Sequence, residues 1–157
     1  MIVVRLAEGA WQHAGARFSE WIGAGLLAGW GYVLWRQPGI FEISRSFEVM
    51  EQWADQAAWA NILLAAATIR IVALFINGTM EKMRRHTPIM RFLASWIAFM
   101  AWALVALGMF YAWRDSGGSP TGWIAYFYVT LHELRNISQT RKDMIAARGA
   151  SNAMAGK

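Results

Sequence analysis

The residue whose type and setting most demand a use in this 157-residue chain is Arg70, the single charge inside the apolar run 57–77. A guanidinium at the centre of a bilayer costs on the order of 2.5–3.5 kcal/mol, so an intramembrane arginine is a functional-site candidate by default. Arg70 lies seven residues before Asn77, about 10 Å of helical rise, and from that depth its long side chain also reaches headgroups by snorkelling. Two carboxylates fall at the same end of the chain's apolar segments. Glu20 opens the first run and Glu133 closes the last. An intramembrane ion pair of Arg70 with Glu20 or Glu133 is therefore expected, against two alternatives, a transported-ion or proton role and plain snorkelling.

Other chemistry is thin. His13, His86 and His132 share no i,i+4 spacing and no H-E-x-x-H, so no metal site is expected. His132-Glu133 reads as a polar pair at a helix end. No triad signature and no phosphate-binding glycine loop is present. With zero cysteines, thiolate zinc sites, iron–sulfur clusters and thiol oxidoreductases are excluded. The expectation is a chain without catalytic residues, metal or cofactor, and not an enzyme.

Ten tryptophans are unusual in a chain this short. Trp21, Trp35, Trp53, Trp59, Trp113 and Trp123 fall at the ends of apolar runs, where an indole suits a membrane interface. Trp11 lies in the polar N-terminal stretch. Trp30, Trp96 and Trp102 fall inside the runs and read as packing between helices rather than as a ligand cage. Glycine crowds the first run: Gly25-x-x-x-Gly29 lets two backbones approach, and Ala94-x-x-x-Ala98 offers a similar face on the third. These four residues are expected to form a helix-packing or oligomer seam.

The elements that must position these residues follow from composition. Apolar residues make up 57% of the chain, or about 66% with its 14 glycines, against the usual ~45–50%. A soluble domain of this length cannot hide so much apolar surface, and disorder is excluded for the same reason. Four apolar runs are visible, at 21–35, 57–77, 92–113 and, more weakly, 123–131. The first supplies only about 22 Å of helix and needs its flanks to cross the ~30 Å hydrocarbon core. With four spans, about 18–36, 57–77, 92–113 and 120–134, one side holds eleven of the 15 Lys and Arg and the other holds three. Without the fourth crossing the split is six against eight, which violates the positive-inside rule. The basic charge is thus read as orientation, not as nucleic-acid binding. The expected fold is all-α, a bundle of four transmembrane helices in the bacterial inner membrane with both termini cytoplasmic.

Linkers fit that frame. Asn77-Gly78 is expected to end the second helix, Thr87-Pro88 to start the third, and 117–120 to form a short external turn. Residues 41–56 place Ile43, Phe47, Met50 and Ala54 at helical spacing among acidic residues, an amphipathic segment expected on the outer interface. Residues 136–157 are expected to form a basic cytoplasmic tail, helical at first and then fraying. No cleavable-signal pattern opens the chain.

The run from Arg70 to Gly78 (Arg70-Ile71-Val72-Ala73-Leu74-Phe75-Ile76-Asn77-Gly78), followed by Thr87-Pro88, Arg91 and Trp96, resembles small polytopic membrane proteins of proteobacterial phages and prophages. The similarity extends through Phe47-x-x-Met50 with Trp53, and Thr121-Gly122 with Tyr126, and so covers roughly residues 40–135. The chain departs from that pattern in the fourth span, where the acidic residue is expected deeper than Glu133. The resemblance implies a protein that is holin-like in size and topology, with no assigned activity.

Three functions follow as expectations. The first is a holin-like protein that oligomerises in the inner membrane and permits lysis, with the lipid bilayer and other copies of itself as partners. The second is a non-catalytic accessory or assembly subunit of a membrane or virion complex. A small transporter ranks below both, because no acidic residue sits mid-membrane and no inverted repeat is visible. A neighbouring endolysin gene would favour the first, and capsid or tail genes the second.

Overall fold

The computed structural model describes residues 17–79 and 87–155, and every element in them is helical. The long helices are α1 (Phe18–Arg36), α4 (Gln56–Thr79), α5 (Thr87–Ser116) and α6 (Pro120–Ala155). Between α1 and α4 lie α2 (Ile40–Ile43), a 3₁₀ turn (Arg45–Phe47) and α3 (Glu48–Trp53). The most extensive packing is α5 on α6 and α1 on α4, with α4 on α5 joining the two pairs. His13, His86 and Trp11 lie outside the described residues.

Local sequence explains the boundaries. Pro88 sits in the first turn of α5, where a missing N–H costs nothing. Gly117, at φ +72°, turns the chain so that α6 begins at Pro120. α4 runs through Asn77-Gly78 to Thr79, where the described residues of this helix end. Beyond Leu134, α6 does not give way to a separate tail. Residues 136–155 continue the same helix, because the stretch is rich in Ala, Arg, Lys and Met and contains no proline.

Residues 41–56 also differ from a single amphipathic helix. Ser44 is extended, with ψ 112°, and breaks the segment into short pieces. Ile43 is consequently turned outward, whereas Phe41 and Met50 are buried. Met50 enters the space left by Gly108 on α5, where a Cβ would collide with its side chain. Gln56 ties the segment down: its Nε2 donates to Leu34 O and Gln37 O, both at 2.7 Å, and its Oε1 accepts from Phe41 N at 3.2 Å. Trp59 adds an indole hydrogen bond to Met50 O at 2.9 Å.

The bundle interior is built of small residues around a few large ones. Ala60, Ala66, Ala67, Ala98 and Ala101 bring the helices close, and Leu27, Leu63, Trp102 and Val105 fill the remaining space. Among the described residues, Gln56–Ile76 and Pro88–Ser116 are long and apolar enough to cross a membrane. α1 and α6 fall short of that measure. Glu20 and Arg36 bracket a glycine-rich α1, and α6 turns polar after Leu134.

Candidate functional site

On α6 a polar stripe recurs at helical spacing: Thr130, Glu133, Asn136 and Thr140 are buried, and Asp143 ends the series partly exposed. Arg70 of α4 meets it. The guanidinium is 1% exposed and donates from Nη1 to Oε2 of Glu133, itself 0% exposed, at 2.5 Å. Asn136 Nδ2 donates to the same oxygen at 3.1 Å, and Asn136 Oδ1 accepts from Ser19 Oγ of α1 at 2.9 Å. Among the described residues, Arg70 Nε and Nη2 and Glu133 Oε1 have no hydrogen-bond partner. Gly23 of α1 makes the space, for a Cβ there would overlap Glu133 Oε1 and stand 3.1 Å from Arg70 Cζ.

A second cluster lies at the same end. Arg91 of α5 grips Glu20 of α1 through Nε, at 3.1 Å, and Nη2, a fork on one carboxylate. Its Nη1 donates to Asp143 Oδ2 at 2.8 Å. This cluster carries one more carboxylate than guanidinium, and Arg17 supplies the balancing charge. Burial, then the charge of Arg91, push the Arg17 guanidinium below its ordinary value, while Glu20 and Asp143 pull it back up. Across the two clusters each long helix contributes a side chain, so the end of the bundle is tied by charge-assisted hydrogen bonds. The arrangement holds helices in register. Among the described residues no group of His, Asp or Glu is placed to hold a metal ion.

Of the expected intramembrane pair, Arg70 and Glu133 stand together, and Glu20 does not join them. Its partner is Arg91, because Glu20 lies nearly one turn of α1 away from Gly23, toward the start of α5. The expected seam divides. Ala94 and Ala98 are buried within the bundle, but a Cβ at Gly25 or Gly29 would meet nothing within 4 Å. Close approach between helices instead uses Gly23 and Gly31, the latter against Leu64 and the Ala60 carbonyl. Among the expected interface anchors, Trp35, Trp53 and Trp113 are exposed, and Trp21 and Trp123 are half-buried. Trp59 is no anchor: it is buried in the core, with its N–H spent on Met50. Sequence reasoning missed Arg91 and Asp143. No family model, curated protein or solved structure matches the chain. Fold and site together define an all-helical protein, charge-tied at one end, with two central helices long and apolar enough to span a membrane.

Proposed function

We propose that the chain is a four-span protein of the bacterial inner membrane, with both termini cytoplasmic, that acts through lateral association in a holin-like manner. The observation that carries this reading is the inverted amphipathicity of α6. Within 120–134 its outward residues are Ile124, Phe127, Tyr128, Leu131 and Leu134, while Thr130 and Glu133 face inward; beyond Leu134 the exposed face turns polar, with Arg135, Arg141 and Lys142 outward. In water that arrangement exposes what should be buried. In lipid it is the favoured one, because polar side chains of a spanning helix turn to the bundle interior. The low mean hydropathy of α6 comes chiefly from the polar stretch after Leu134, beyond the proposed span, where Arg135, Arg141 and Lys142 are exposed. α1 likewise turns apolar Ile22, Leu26 and Val33 outward, with Glu20 inward beside Ala24, Leu27 and Leu34.

Association is supported by the core and by the outer face of α1. Trp102, Leu63 and Val105 pack the middle of the protomer, so permeation would require several copies. Gly25 and Gly29 face outward with open space over them, and such positions let a second helix approach closely. The resemblance to phage and prophage membrane proteins supports the holin-like reading through size and topology alone.

Two measurements test the reading. On this cysteine-free background, single cysteines at positions 38–50 should label from outside and those at 140–157 only from inside. A C-terminus labelled from outside rejects the four-span topology. Timed induction in a bacterial host should collapse the membrane potential, and Gly29→Leu should keep insertion yet weaken crosslinked oligomers roughly tenfold, or ~1.4 kcal/mol. Cells that hold their potential at high protein levels favour an accessory or assembly subunit, a reading supported by the exposed rings of Trp35, Trp96 and Trp113 as contact surfaces.

A further inference from the structure

Toward the 117–119 turn, the packing of α5 on α6 leaves a groove of about 350 Å³. Ala103 and Ala106 share its walls with Leu107, Phe110, Trp123 and Phe127, so two missing side chains open a slot between large ones. Thr130 closes its inner end with the hydroxyl turned back onto Tyr126 O at 2.8 Å. Leu107 and Phe127 are also exposed, so the slot opens on the outward surface of the helix pair. The groove lining ends at Phe110 on α5, and the helix surface beyond it is charged. Positions 103, 107, 110 and 114 follow one stripe of α5, which puts Arg114 one turn past Phe110. Arg114 lies over the Tyr111 ring at 4.8 Å and grips Asp115 with Nε at 2.6 Å and Nη2 at 2.7 Å. Both members of this pair are exposed. Arg114 Nη1 stays available to a phosphate oxygen, and the outer lone pairs of Asp115 to an ammonium.

We propose that the groove holds one acyl chain of a zwitterionic phospholipid, with its phosphoethanolamine head over the Arg114–Asp115 pair. The proposal rests on the four-span reading, which turns the slot toward the outer leaflet. Charge complementarity selects the head. Phosphoethanolamine offers an anion to Arg114 and a cation to Asp115, whereas phosphoglycerol offers the same anion but only neutral hydroxyls to Asp115, and so lacks the second ionic contact. A lipid held this way covers apolar wall that α5 and α6 leave open.

The test reconstitutes the full chain in vesicles of equal phosphatidylethanolamine and phosphatidylglycerol, with brominated chains on one lipid or the other, and reads tryptophan quenching. Brominated phosphatidylethanolamine should associate roughly threefold more strongly, as one exposed ionic contact allows. Arg114→Gln with Asp115→Asn, at exposed positions, should abolish the preference, and Ala106→Phe should do so by filling the slot. Equal quenching by the two lipids, or a preference that survives both variants, overturns the proposal while leaving the membrane reading intact. Absence of quenching by either lipid overturns both. Disulfide dimers formed by Leu107→Cys would place a second copy over the groove and likewise overturn it.

Discussion

Glu133→Leu with Arg70 left in place is expected to cost about 3–5 kcal/mol of bundle stability, among the largest losses available to a single substitution here. The guanidinium is 1% exposed and loses its carboxylate partner, while Asn136 Nδ2 loses the same acceptor. Arg70→Met should be comparably harmful for the converse reason, since it strands a fully buried carboxylate. Glu133→Gln should cost less, because the amide oxygen still accepts from Asn136. The pair Arg70→Met with Glu133→Leu should recover most of the loss, because an apolar pair of similar volume carries no desolvation penalty. Unfolding of the purified chain in a fixed detergent, followed by tryptophan fluorescence, reads all four variants. Losses that simply add in the double variant would show that the two side chains do not act as a unit.

The two charge clusters also show how far such a network can be read from sequence. Arg70 announces itself, because it is the single charge inside an apolar run. Its choice between Glu20 and Glu133 depends on how α1 and α6 are rotated about their axes, which no single helix encodes. Arg91 hides because hydropathy starts the third run at Phe92 and assigns it to the loop. A stripe reading finds it: Arg91, Ala94, Ala98, Ala101 and Val105 lie on one buried face of α5. Asp143 hides for a related reason. Apolar length picks out only the run 123–131, whereas the informative signal is the polar period running from Thr130 through Thr140 to Asp143. The break at Ser44 has no such signal, since the apolar spacing on either side of it suits an unbroken helix.

The glycines of α1 test the packing around Arg70 most directly. Gly23 and Gly25 are two residues apart, about 200° round the helix, and so point to opposite sides. At Gly23 a methyl would overlap Glu133 Oε1 and stand 3.1 Å from Arg70 Cζ and Nη1. Neither side chain has room to retreat, since both are buried and bonded to each other. Gly23→Ala should therefore destabilise the bundle by about 1–3 kcal/mol through overpacking. Gly25→Ala, whose Cβ meets nothing within 4 Å, should change stability by less than about 0.5 kcal/mol. The sharper comparison moves Gly23→Ala into a chain already carrying Glu133→Ala. With the carboxylate gone the methyl has space, and the second substitution should add almost nothing, a coupling on the order of 0.5–3 kcal/mol. An undiminished cost in that background would place the strain elsewhere on α1. Equal costs at Gly23 and Gly25 would mean that α1 does not turn Gly23 toward the ion pair.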